Sequence, residues 1–268
     1  MKKFIIFITT FIALCFICPH CKHPQIHSHA TTSPIVSIVI DDFGSYDESG
    51  VSTLLSTDIP ITCAVIPNVD NTKNHLNAIS KSKNKEIILH MPMQAHVNLP
   101  KDWYGPIYIC SGDSKKTIND KFENCLKDFP AINGFNMHIG SGVSKNKDTM
   151  KHIYEYATKN NLYFLDSRTI ETNAPTEAAS ETNSFYLGRD EFLEADKNKS
   201  YSNVKFRLLE TAKTAIEKGH AIAIGHVGAE GGENTAKAII ETIPEIEKMG
   251  VKVVTLNTLY ESIKICNK

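Results

Sequence analysis

From about residue 36 onward, short apolar runs alternate with amphipathic stretches, and the two kinds of segment have different periods. The runs at 36–41, 61–67, 86–90, 134–139, 162–166, 184–187, 221–225 and 251–256 are almost continuously apolar, as expected of strands buried on both faces. The stretches at 51–56, 73–81, 114–129, 147–159, 176–181, 203–218 and 235–249 read as helices, and Ile118, Phe122, Cys125 and Leu126 share one helical face. Regular alternation of this kind predicts parallel strands joined by right-handed helical crossovers. Such units either close into a barrel or lie as an open, doubly wound sheet. No glycine-rich phosphate loop follows the first strand, so the usual reason to choose a nucleotide-binding open sheet is missing. The expectation is a single-domain α/β barrel without a nucleotide ligand. Residues 91–113, which include Pro92, Pro100 and Pro106, are too long for a plain connection and are expected to cover a site.

Chemistry-bearing residues close several of the predicted strands. They occur in Ile38-Val39-Ile40-Asp41-Asp42, Ile87-Ile88-Leu89-His90, Phe135-Asn136-Met137-His138, Leu165-Asp166-Ser167-Arg168 and Ile224-Gly225-His226. In an α/β protein the carboxyl ends of the strands gather on one face, where sites are built. Two adjacent carboxylates are costly to bury unless a cation offsets their repulsion, and successive side chains at a strand end diverge. One member of the Asp41–Asp42 pair can therefore ligate while the other stays free as a base. Asp42, His90 and His138 make a set of two histidines and one carboxylate that leaves a coordination position open, with zinc the first candidate. His226 is placed to act as a general acid. Asp166 is expected either to orient an imidazole or to pair with Arg168, while Arg189 and Asp190 offer a further charge pair on the rim. His75, His152 and His220 read as surface residues on helices or at a helix end.

The rest of the composition narrows the setting. The 29 Lys+Arg against 30 Asp+Glu leave a formal charge of -1, so there is no global drive toward nucleic acid. Lys2 and Lys3 precede an apolar run over residues 4–18, which is shorter than the ~20 residues of a membrane-spanning helix. Residues 1–30 are read as a signal peptide and linker, with Ser28-His29-Ala30 as a small-x-small cleavage site, and 31–268 as the folded domain. An uncleaved anchor is the alternative. Both place the domain outside the cytoplasm, periplasmic or extracellular. The His- and Cys-bearing tract at 18–29 matches no closed zinc motif and reads as linker. Cys63 is expected buried and free, and Cys110 and Cys125 either paired or peripheral.

The series Ile40-Asp41-Asp42-Phe43-Gly44, His90-Met91-Pro92-Met93, Asn136-Met137-His138-Ile139-Gly140-Ser141, Phe164-Leu165-Asp166-Ser167-Arg168-Thr169, Arg189-Asp190-Glu191-Phe192-Leu193 and Ile224-Gly225-His226 resembles the divergent polysaccharide deacetylase family. The resemblance implies a distorted (β/α)7-8 barrel of the deacetylase type. It also implies Asp42, His90 and His138 as metal ligands, Asp41 as base, His226 as acid, and Asn136, Asp166, Arg168, Arg189 and Asp190 around them. The substrate class it implies is an acetylated polysaccharide such as peptidoglycan. Four positions depart from the family pattern. Gln94 stands where mainstream deacetylases have a second histidine, Met137 where a polar, substrate-facing residue is expected, Ile139 where the divergent branch usually has Met, and Glu194 where an Asp is common. Two functions follow: a secreted metal-dependent deacetylase, or a non-catalytic, metal-containing envelope protein that binds glycan or a partner.

Overall fold

Among the described residues, nine parallel strands carry the architecture: β1 (Ile35–Phe43), β2 (Ile61–Val65), β3 (Lys85–Met93), β4 (Gly134–Ile139), β5 (Tyr163–Asp166), β6 (Leu187–Gly188), β7 (Glu191–Phe192), β8 (His220–His226) and β9 (Lys252–Val254). The computed structural model describes residues 33–266. The strands run in the order β6-β5-β4-β3-β2-β1-β8-β7, and β9 lies beside the first residues of β1. Only Arg189 and Asp190 separate the two ends of this path. The Arg189 N–H donates to the Asp166 carbonyl on one edge, and the Asp190 N–H donates to the Ile222 carbonyl on the other. One short segment thus bonds to both edges and closes a distorted (β/α) barrel.

Helices α1 (Val51–Leu55), α2 (Thr72–Lys81), α3 (Lys115–Cys125), α4 (Lys147–Lys159), α5 (Ala174–Glu181), α6 (Tyr201–Lys218) and α7 (Gly232–Lys248) surround the sheet, and α8 (Leu256–Cys266) ends the described chain. Outward-facing strand residues pack on the helices in two apolar clusters. One is built on Ile38, Ile40, Val65, Leu208 and Ile239, the other on Leu89, Phe135, Phe164, Phe122 and Ile153. Val39, Ala64, Ile88, Leu165 and Ile224 fill the barrel interior and meet Leu256 and Leu259 of α8. At that end, the Glu86 carboxylate accepts hydrogen bonds from Thr62 and Tyr163 hydroxyls and from the Asn257 N–H. A carboxylate at the amino end of α8 is favoured by the helix dipole.

Several elements differ from the sequence expectation. Ser184–Tyr186 lie outside the sheet because the Ser184 N–H bonds back to the Ala179 carbonyl and ends α5, leaving a strand of only Leu187–Gly188. The third strand continues past His90 to Met93, where Ile109 bridges to it, so the long insert begins inside the sheet. Residue 256 begins a helix rather than ending a strand; Leu256, Leu259 and Ile263 form the face that packs into the barrel. Cys63 is buried and free as expected. Cys110 and Cys125 are also free, and Cys125 is buried under α3 rather than peripheral, since it shares the face of Ile118 and Phe122. His75 is buried rather than at the surface: its Nδ1 accepts the Gly44 N–H at 2.7 Å and its Nε2 donates to Glu48 at 3.2 Å, pinning the loop after β1. The predicted signal peptide and the tract at 18–29 lie outside the described residues.

Candidate metal centre

Strand alternation sets the site. Ser37, Val39 and Asp41 share the inward parity of β1, as do Glu86, Ile88 and His90 on β3, Asn136 and His138 on β4, and Ile222, Ile224 and His226 on β8. Register then pairs Asp41 with His226 and His90 with Asn136, so all four reach the same end of the barrel. Alternation alone would turn Asp42 outward. Instead the β1–β2 register shifts between Ile40 and Phe43, and Asp42 adopts φ 69°. This bulge with a left-handed residue returns the Asp42 carboxylate to the side of Asp41, so the two acids converge where the sequence suggested divergence. Asp tolerates this conformation better than most residues, and local strain of about 1–2 kcal/mol is held in place by the surrounding sheet.

Three donor atoms form a nearly equilateral triangle. His138 Nδ1 lies 3.2 Å from His90 Nε2 and 3.3 Å from Asp42 Oδ1, and His90 Nε2 lies 3.4 Å from the same oxygen. Donors about 2.05 Å from a tetrahedral centre stand about 3.3–3.4 Å apart, so the edges match a zinc-sized ion. The hydrogen bonds behind the triangle decide its proton inventory. Asn136 Nδ2 donates to Asp41 Oδ1 at 2.7 Å, which leaves Asn136 Oδ1 to accept from His90 Nδ1 at 2.7 Å. His138 Nε2 donates to the Trp103 carbonyl at 3.0 Å. Both remaining ring nitrogens therefore present lone pairs to each other and to a carboxylate oxygen. Such a set is repulsive unless a cation stands among it, and its three protein donors are the number of an open catalytic site rather than a closed structural one.

The flanking groups are tuned in opposite senses. Burial raises the Asp41 pKa, and the charges of His90 and His226 and the Asn136 hydrogen bond offset only part of that rise. Burial also pushes Asp42 upward, but the imidazoles of His138 and His90 set against its carboxylate outweigh that and hold Asp42 well below the usual carboxylate range. Burial disfavours the His226 cation, yet the Glu194 hydrogen bond and the charges of Asp42, Glu194 and Asp41 push His226 up to about 10. Glu194 Oε2 accepts from His226 Nδ1 at 2.9 Å, while its Oε1 accepts the His226 N–H and the Thr235 hydroxyl. Gly225 leaves room for this contact, since a Cβ there would sit 2.9 Å from Leu193 Cδ1 and 3.3 Å from Glu194 Oε1.

The structure thus brings Asp41, Asp42, His90, Asn136, His138 and His226 together, keeps Arg189 nearby, and places Asp166, Arg168 and Asp190 elsewhere. Asp166 orients no imidazole; it accepts from the Arg168 N–H and the Tyr186 hydroxyl, because it shares the outward parity of Phe164. Arg168 donates to the Tyr186 hydroxyl and to the Arg189 carbonyl, at the outer side of the closure. Arg189 stays near the acid: its guanidinium lies 3.7 Å from the Phe192 ring centroid, and Phe192 stacks on His226. Asp190 is not a rim residue and does not pair with Arg189. Its carboxylate accepts the Ile222 N–H and meets Lys218 toward the amino end of β8. Met137 does not face substrate either, because its outward parity buries it in the helix-packed cluster, where the Ser144 hydroxyl contacts its sulfur. Sequence reasoning missed Glu194 as the partner of His226 and Trp103 as the partner of His138. The first had a signal in its departure from the family's Asp. The second acts through a main-chain carbonyl and had none.

The sequence model of the divergent polysaccharide deacetylase family matches residues 38–260. An uncharacterised protein of Haemophilus influenzae is 30% identical over 191 residues, 71% of this chain and 66% of its own length. The uncharacterised protein YibQ of Escherichia coli is 29% identical over 202 residues, 74% of this chain and 61% of its own. The matched stretch thus falls just short of two thirds of either relative. The crystal structure of the uncharacterised protein ATU2773 of Agrobacterium tumefaciens superposes with a TM-score of 0.74 at 18% identity, covering 85% of this chain and 89% of that one, and so shares the fold. The chain belongs to the divergent polysaccharide deacetylase family.

Proposed function

We propose that the protein is an exported, divalent-metal-dependent hydrolase, with zinc as its metal, that removes acetyl groups from an N-acetylated glycan such as peptidoglycan. The observation that carries this reading is the triangle of lone-pair donors on Asp42, His90 and His138, flanked by a buried carboxylate and a strongly basic imidazole. A divalent cation held there supplies Lewis acidity toward an acetyl carbonyl and lowers the pKa of water. Asp41, fixed by Asn136, takes the proton from the water whose oxygen attacks the acetyl carbon. His226, held as imidazolium by Glu194, gives its proton to the amide nitrogen as the C–N bond breaks. Acetate and a free amine result. The alternative of a non-catalytic envelope protein drew on the unusual insert after His90 and on Met137 standing in a substrate-facing place; Met137 lies in the core, which removes the second ground and leaves the first. Export rests on the basic and apolar N-terminal segment.

The test is metal analysis of the purified protein paired with acetate release from chitotetraose and from peptidoglycan. One metal per chain and metal-dependent acetate release are expected. A protein that takes up no zinc, or that loads zinc and releases no acetate from any N-acetylated glycan, would overturn the reading.

A further inference from the structure

We infer that the Trp103 indole is a stacking platform for a pyranose ring at the mouth of the metal centre, while the main-chain carbonyl of the same residue holds the imidazole of His138. The inference rests on the glycan reading above and adds the residue that grips the sugar. Trp103 lies in a single 3-10 turn, Lys101–Tyr104, within the long insert after β3. Its neighbour anchors that turn: Tyr104 is buried, its hydroxyl accepts the Ala95 N–H at 3.2 Å, and its ring stacks on Tyr108 at 4.6 Å. The Trp103 carbonyl is spent on His138 Nε2 at 3.0 Å. The backbone is therefore fixed on both sides of an indole that remains 59% exposed.

A single exposed apolar side chain is ordinary by itself. Phe206 on α6 is exposed to the same degree, 58%, but it sits on the helical layer, in an element that supplies no candidate ligand. Trp103 differs in being one residue from a buried anchor and one hydrogen bond from a candidate ligand. The bond from His138 to the Trp103 carbonyl sets this residue beside the centre, so we take its exposed indole to lie within reach of an oligosaccharide that brings an acetamide there. The C–H groups on the face of a pyranose are weakly positive and suit the negative face of an aromatic ring, and a rigid Trp loses few rotamers when it is covered. Substituting the side chain leaves the carbonyl in place, so the platform and the support of His138 can be separated.

Trp103 is also the single tryptophan of the chain, so intrinsic fluorescence reports this residue alone. The zinc-loaded full chain should emit at long wavelength and be quenched readily by acrylamide. Saturating chitotetraose should shift emission to the blue and reduce the quenching. Trp103→Ala should raise KM for chitotetraose about tenfold with kcat and zinc stoichiometry unchanged, the pattern of lost uniform binding. Phe206→Ala should change neither parameter. Emission and quenching unaltered by chitotetraose, or a wild-type KM in Trp103→Ala, overturns the platform. The fluorescence arm needs no variant to fold. Acetate release together with an unresponsive indole sinks the platform and spares the deacetylase reading. A protected indole without acetate release sinks deacetylation and spares the platform.

Discussion

Asn136 supports two functions with one side chain, and two substitutions separate them. Its amide is fully buried, with Oδ1 accepting from His90 and Nδ2 donating to Asp41, both at 2.7 Å. Asn136→Ala leaves the His90 Nδ1–H and the Asp41 Oδ1 buried without partners, at about 1–3 kcal/mol each, or roughly 2–6 kcal/mol together. That is a large share of the ~5–15 kcal/mol stability of a typical domain. Zinc affinity should fall about 10–100-fold, the usual cost of removing the group that orients a ligating imidazole. Asn136→Asp keeps the shape and the acceptor for His90 but sets a second carboxylate against Asp41. At an effective dielectric constant of ~20, two charges about 4 Å apart repel by about 4 kcal/mol, which one proton shared by the pair relieves. This variant should keep zinc and lose the base. Chelator competition reads the affinity, thermal unfolding the stability, and the pH profile of acetate release the base. Wild-type zinc affinity and melting in Asn136→Ala would refute the argument that this amide sets the His90 tautomer. A wild-type rate and pH profile in Asn136→Asp would remove Asp41 as the base.

Asp41→Asn and His226→Ala should each retain zinc and lower turnover about 10²–10⁴-fold, measured as acetate release; an unchanged rate removes that residue from proton transfer. Glu194→Gln removes the main group that pushes His226 up to about 10, so the alkaline limb of the rate profile, where the acid loses its proton, should move to lower pH. The raised pKa also has a stability consequence: in the wild type the contribution is whole below the unfolded imidazole value of about 6.5 and is lost as pH rises through about 10, and a melting series across that window should be flatter for Glu194→Gln. His75→Ala strips the Gly44 N–H of its buried acceptor, at about 1–3 kcal/mol, and should lower Tm by about 2–4 °C for each kcal/mol lost. An unchanged Tm would show that the loop after β1 does not depend on that imidazole.

Much of the site was legible because hydrophobic period is a local property. Apolar runs separated by amphipathic stretches mark parallel strands, and parallel strands bring their carboxyl ends to one face, so Asp41, His90, His138 and His226 could be grouped without any contact being known. The alternation that turns Asn136 and His138 inward also turns Met137 into the core, which was readable in principle from the same period. The boundaries were less legible, because helix caps and bridge pairings decide where β3 continues and where β6 begins. What tertiary structure decided are the pairings between distant segments. Asn136 meets Asp41 across 95 residues and Glu194 meets His226 across 32, and both depend on strand register and barrel closure rather than on either segment's composition. The inward turn of Asp42 needs a bulge at φ 69°, a conformation that Asp permits but does not announce. The hold of Trp103 on His138 runs through a carbonyl that every residue possesses, so no side-chain pattern could have marked it. The sequence by itself determined which side chains end on the inner face of the strands. Only the closed barrel, with its bulge and its insert, decided which of their atoms come within bonding distance, because distances between segments are set by packing and register while period is set along the chain.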